Sequence, residues 1–163
     1  MLGESLLVAP IFRNDGNVSY YLPKGEWTHL LSNEVKQGGS WMQENYDYFS
    51  LPLFVRENTL LPIGKVRTNP EYNYTDGLTV HIFALKDKAE TVIYNTNGEF
   101  TLKAAAVNEN GHVTVTLDGA YTDLKICMRN IGCVKNVTGA SLEESDLGAV
   151  LSVTDHTVSF DLA

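Results

Sequence analysis

The sequence is short of several things that would narrow its chemistry. It has only two cysteines, Cys127 and Cys133, too few for a disulfide framework and wrongly spaced for a zinc pair. With apolar neighbours at Ile126, Met128 and Val134, both read as small, reduced core residues. No apolar run approaches the roughly 20 residues that span a bilayer, so no membrane role is expected. Lysine and arginine number 12 against 20 acidic residues, a net charge of −8, so there is no basic stripe to track phosphates and no nucleic-acid partner is expected. The N-terminus shows no charged stretch followed by an apolar core, so no signal peptide is visible, which says little of a fragment; the expected location is cytoplasmic.

Recognisable catalytic patterns are missing as well. There is no glycine-rich phosphate loop, no nucleophile elbow and no His-Glu-x-x-His pair. His29, His81, His112 and His156 lie far apart, each in or beside an expected strand. Glu143-Glu144-Ser145-Asp146 lacks the alternating oxygen ligands and turn glycine of a calcium loop and reads as a solvated turn. On these grounds no catalytic, cofactor-binding or metal-ligating residue is assigned, and no cofactor is expected.

What is present is β-structure. The 163 residues hold 15 valines, 6 isoleucines, 14 threonines and 16 aromatics, all strand-favouring types, punctuated by 13 asparagines and 13 glycines. No window repeats apolar residues at helical spacing between caps; Leu142–Leu147 alone reads as one helical turn. Strands are expected at 6–12, 18–22, 27–31, 40–45, 53–56, 78–85, 91–95, 100–105, 112–117, 124–128, 150–153 and 158–162. Pro62 makes 60–63 an edge strand. Asn97-Gly98 and Asn110-Gly111 are hairpin signals, and His112–Leu117 alternates polar and apolar residues as a half-buried strand does. The turn-rich stretch from Lys65 to Gly77 reads as a link whose tyrosines pack down. The expected architecture is all-β, two antiparallel β-sandwich units in tandem, residues 1–66 and 67–163.

The aromatics of the first half, Tyr20, Tyr21, Trp27, Trp41, Tyr46, Tyr48 and Phe49, are candidates for a sugar platform or for packing. Neighbours such as Tyr20 and Tyr21 point to opposite faces of a strand, so one of each pair belongs to the core and the other covers a surface.

Several phrases resemble one family. Met1-Leu2-Gly3-Glu4-Ser5-Leu6-Leu7-Val8-Ala9-Pro10-Ile11, then Tyr21-Leu22-Pro23-Lys24-Gly25-Glu26-Trp27-Thr28, then Ser50-Leu51-Pro52-Leu53-Phe54-Val55-Arg56-Glu57 with Asn58-Thr59-Leu60-Leu61-Pro62 are similar, in that order, to the proximal β-domain of glycoside hydrolase family 31. Asn69-Pro70-Glu71-Tyr72, Asp76-Gly77 and Val80-His81-Ile82-Phe83 resemble the entry to the distal domain of bacterial α-xylosidases. The resemblance implies a retaining α-glycosidase, α-xylosidase or α-glucosidase, whose two carboxyls lie about 5–5.5 Å apart on a (β/α)8 barrel upstream of residue 1. The nucleophile's motif has no counterpart here, and Asp47 falls inside the proximal pattern, so no catalytic residue carries over. Trp27, Pro23, Gly25, Pro52, Arg56 and Gly77 carry over as structural residues, with Gly25 at positive φ and Arg56 either satisfying a loop or ending a strand in solvent.

The expected role is a non-catalytic C-terminal region that supports the barrel of the parent enzyme and contributes to homo-oligomer contacts. An independent carbohydrate-binding module is the alternative, and a small enzyme with an unrecognised site a third reading. The barrel-bearing role predicts an exposed apolar patch near Leu2, Leu6 and Leu7, joined by aromatics of the Trp41–Phe49 segment.

Overall fold

The computed structural model describes residues 1–66, 68–143 and 145–163. The chain divides into two compact units, Met1–Glu57 and Asn58–Ala163. Among the described residues there is no helix. The fold is all-β, as the strand-forming composition requires.

In the first unit, β1 (Leu6–Val8), β6 (Leu53–Arg56), β3 (Glu26–His29) and β4 (Val35–Gln37) form one antiparallel sheet in that spatial order. A second sheet holds only β2 (Asn17–Leu22) and β5 (Ser40–Asn45). Alternation decides which side chains go inside: Tyr20 and Leu22 leave β2 on one face and meet Leu7, Trp27 and Phe54 from the other sheet. The turn after Pro23 places Gly25 at φ 122°, a conformation only glycine adopts without strain. Trp27 folds back over that turn, and its Nε1–H donates to the Pro23 carbonyl at 2.8 Å, so the large ring is buried with its one polar group satisfied. Arg56 is exposed at the end of β6.

The second unit contains two five-stranded sheets. One runs β13 (Val134–Thr138), β16 (Thr157–Leu162), β11 (His112–Gly119), β10 (Phe100–Glu109) and β9 (Lys88–Tyr94). The other runs β14 (Ala140–Glu143), β15 (Gly148–Val153), β12 (Lys125–Arg129), β8 (Thr79–Phe83) and β7 (Thr59–Ile63). Alternate residues of both sheets enclose one aliphatic core that includes Val80, Leu102, Val115, Ile126, Leu151 and Phe160. Asn110 and Gly111 both take positive φ and join β10 to β11 in a two-residue turn with Glu109 opposite His112, as their sequence signals. At Asn97-Gly98 only Gly98 is left-handed. The loop closes instead through the Asn95 N–H to the Glu99 carbonyl, followed by a bulge at the start of β10.

Two expectations are corrected, one is met, and the compact units divide elsewhere than at the expected boundary. The unit boundary falls after Glu57 instead of after residue 66, because β7 pairs with β8 and so belongs to the second unit. Pro62 does sit in an edge strand, but at the edge of that sheet. The sheets are not wholly antiparallel, since β8 and β12 run parallel, Val80 opposite Ile126. Leu142 lies in strand β14 instead of a helical turn, paired with Leu151. Within the link, Tyr74 packs on the second core, and Tyr72 meets it edge-on at 4.9 Å between ring centres.

Candidate functional site

Most of the titratable groups singled out in the sequence are occupied in structural tasks. His29 donates from Nε2 to the Leu51 carbonyl at 2.8 Å and accepts at Nδ1 from the Ser32 N–H at 3.1 Å, leaving neither nitrogen for catalysis. His112 Nδ1 lies 2.6 Å from Asp161, and His156 Nδ1 lies 3.0 Å from the Leu117 carbonyl. Asp47 turns its own loop by accepting the Phe49 N–H at 2.9 Å. Glu143 accepts from Lys125 at 2.7 Å and from the Ser152 hydroxyl at 2.5 Å; Glu144 of the acidic cluster lies outside the described residues. Among the described residues no three His, Cys, Asp or Glu side chains gather where a metal would bind.

A polar clamp joins the two sheets of the first unit. Glu44 on β5 accepts from the Tyr20 hydroxyl at 2.5 Å and from the Tyr46 hydroxyl at 2.7 Å, and forms an ion pair with Lys36 of β4. Lys36 also stands 5.4 Å above the Phe54 ring centre. Burial opposes the Glu44 charge, but hydrogen bonds from Lys36, Tyr20 and Tyr46 outweigh it and hold the carboxyl below its ordinary value. Burial first, and then the bond to Glu44, push the Tyr20 and Tyr46 hydroxyls above the ordinary phenol range.

In the second unit, the face of β8 and β12 opposite the aliphatic core carries His81, Phe83, Cys127 and Arg129, all buried. The Arg129 guanidinium lies 5.0 Å from the Phe83 ring centre. Among the described residues, buried His81 Nδ1 has no hydrogen-bond partner. Its proton affinity falls to about 4, mainly through burial and secondarily through the Arg129 charge. Burial also raises the Cys127 thiol, which keeps it unreactive. Cys133, expected in the core, is exposed, because it sits in the irregular stretch just before β13 and not on a core-facing strand position.

The surface chemistry of the first unit lies in its aromatics. Phe12 is 90% exposed, Tyr48 95% and Phe49 87%, and the last two rings meet edge-on at 5.5 Å. Tyr48 also borders an open basin of about 790 Å³, lined by Ile11, Arg13, Asp15, Asn45 and Asp47. Trp41, 73% exposed, forms a second aromatic feature with Tyr21 on the two-stranded sheet of β2 and β5. The expected apolar patch is therefore centred differently. Leu2 is exposed, but Leu7 is a core residue and Leu6 is half-buried, because β1 is paired to β6 and turns Leu7 inward. Phe12 was missed: it follows Pro10, where β1 has already ended, so strand alternation does not apply to it.

Two family models match the sequence: "Glycosyl hydrolase family 31 C-terminal domain" over residues 1–61 and "Alpha-xylosidase YicI, C-terminal domain" over residues 73–162. The alpha-xylosidase XylQ of Lactiplantibacillus pentosus is 30% identical over 127 residues, 76% of this chain and 17% of that protein. An alpha-xylosidase of Emericella nidulans is 33% identical over 135 residues, 73% of this chain and again 17% of its relative. The chain thus spans about 17% of the length of these curated relatives. In fold, it is similar to a family 31 dextranase of Flavobacterium johnsoniae with a TM-score of 0.78, at 16% identity, over 99% of this chain and 26% of that one. Both stretches of the sequence, early and late, thus lead to one place, and the chain belongs to the C-terminal β-domains of glycoside hydrolase family 31.

Proposed function

We propose that this chain is the non-catalytic C-terminal region of a retaining α-glycosidase, an α-xylosidase or α-glucosidase, and that it supports the catalytic (β/α)8 barrel of that enzyme. Relatives named alpha-xylosidase and alpha-glucosidase support the substrate class. The observation that carries the supporting role is the exposure of Phe12, Tyr48 and Phe49. Three large rings almost wholly in water are costly to leave uncovered, at roughly 25 cal/mol per Å² of apolar area. They bring no hydrogen-bonding groups beyond one phenol, which suits burial against another protein surface. The barrel is the partner this reading assigns to them, and a cytoplasmic location belongs to the same reading, checked by fractionating cells that make the parent protein.

The test compares the 163-residue chain with the parent enzyme. The chain alone is expected to give no turnover of a chromogenic α-xyloside or α-glucoside above a boiled control. In the parent, Phe12→Ser with Phe49→Ser is expected to lower the melting temperature and the yield of soluble enzyme while leaving KM unchanged. Turnover by the isolated chain, or a parent indifferent to both substitutions, would overturn the reading.

A further inference from the structure

The second aromatic feature differs in kind from the first. Among the described residues β2 and β5 pair only with each other, so one face of this two-stranded sheet serves the core and the side chains of the other are exposed. On the exposed face three cross-strand pairs succeed one another: Tyr21 opposite Trp41, Ser19 opposite Gln43, and Asn17 opposite Asn45. All six residues are exposed, and none is ionisable near neutral pH. The Tyr21 and Trp41 rings meet at 5.9 Å between centres and 66° between planes, which leaves a broad part of the indole facing solvent. From Trp41 to Asn45 the row extends about 13 Å at ~3.3 Å per residue.

The polar half is partly preset. The Asn45 side-chain amide donates to the Asp15 carbonyl at 2.7 Å and lies 3.3 Å from the Asn17 side-chain oxygen. Among the described residues the side chains of Ser19 and Gln43 have no intramolecular partner. Burying this row dry against a protein would strand those donors and acceptors, which distinguishes it from the Phe12, Tyr48 and Phe49 surface. A ligand for it must be flat and apolar at one end, rich in hydroxyls along its length, and uncharged. A chain of neutral sugars has that chemistry: C–H faces stack on indole and phenol rings, and vicinal hydroxyls pair with side-chain amides that both donate and accept.

We infer that the outer face of the β2–β5 sheet is a binding site for a neutral oligosaccharide, with one ring stacked on the Trp41 indole beside Tyr21 and the following units lying along Ser19 and Gln43 toward Asn17 and Asn45. Membership of a glycosidase family guides only the choice of glycans to try.

The molecule carries its own reporter. It has two tryptophans, Trp27, 1% exposed, and Trp41, so acrylamide quenching of tryptophan fluorescence reads Trp41. The 163-residue chain is titrated with maltohexaose, isomaltohexaose and a xyloglucan heptasaccharide, with oligogalacturonate as a charged control. At least one neutral oligosaccharide is expected to protect Trp41 saturably, and oligogalacturonate is not. By calorimetry Trp41→Ala should weaken that binding about tenfold and Gln43→Ala by a smaller factor; both residues are exposed, and a circular dichroism melt checks that the variants fold. The inference is overturned if no neutral oligosaccharide protects Trp41 at millimolar concentration, or if affinity is unchanged in both variants. Protection that follows protein concentration instead of sugar would identify a self-association face and overturn it too. Because these variants leave Phe12, Tyr48 and Phe49 intact, failure here is distinguishable from failure of the barrel-supporting role.

Discussion

The two units solve the burial problem in different ways. The second encloses twenty buried hydrophobic residues, nearly all aliphatic, between two five-stranded sheets. The first has a cluster of five, led by Trp27, Phe54 and Tyr20, and supplements it with the Glu44 clamp. It also leaves four large rings, Phe12, Trp41, Tyr48 and Phe49, mostly in water. A unit of fewer than about 60 residues buries too little surface to be more than marginally stable. On this contrast the second unit is expected to fold by itself and the first to depend on contacts beyond its own small core.

The sharpest test of this contrast is dissection. Residues 58–163 made alone should give a β-type circular dichroism spectrum and a cooperative melt, whereas residues 1–57 alone should not; a cooperative melt from the smaller piece would erase the distinction. Next in size, Phe160→Ala should remove about 3–5 kcal/mol from the second unit in urea unfolding, since it empties a fully buried site between stiff sheets.

Smaller effects separate the polar devices. Glu44→Gln should cost about 1–2 kcal/mol, reduced from the full value of charged hydrogen bonds because the group is partly open to solvent. The folded Glu44 carboxyl lies below its ordinary value, so its contribution is present at neutral pH and is lost as pH falls through the carboxylate range. The Glu44→Gln variant should lack that acid-side loss. His81 contributes a second acid-side slope by a different cause. The unfolded imidazole takes a proton near pH 6.5 while the buried one waits until about 4, so stability should decline between those values as pH falls. His81→Leu should abolish that slope and leave the protein no less stable at pH 7, because it removes a buried nitrogen that has no partner among the described residues. Smallest of all, Lys103→Ala breaks an exposed pair with Glu90 and should change stability by no more than about 0.5 kcal/mol.

Where the chain obeys local rules, the sequence is readable. His112–Leu117 alternates and is β11; Asn110-Gly111 is a tight turn; Tyr20 is buried while Tyr21 is exposed. Strands β4, β13 and β14 are not readable, for they are short and polar, with Val35-Lys36-Gln37 mostly exposed, and they exist because a neighbouring strand offers hydrogen bonds. The unit boundary is hidden for a similar reason: Lys65–Gly77 looks like a linker, yet it only joins two paired strands. As for the surface, alternation gives Tyr21 and Trp41 the same face once their register is known, and register is a property of pairing, not of either strand.

The parallel seam between β8 and β12 sets a timetable for synthesis. Strand β8 can pair with β7 as soon as both leave the ribosome, but its other edge stays open until residues 125–129 emerge, after the whole β9–β11 meander. Such long-range pairing is slow to form, and an open hydrophobic edge invites pairing with other nascent chains. A gene truncated just before Lys125 would make that interval permanent, and its product should collect in aggregates instead of folding around what remains.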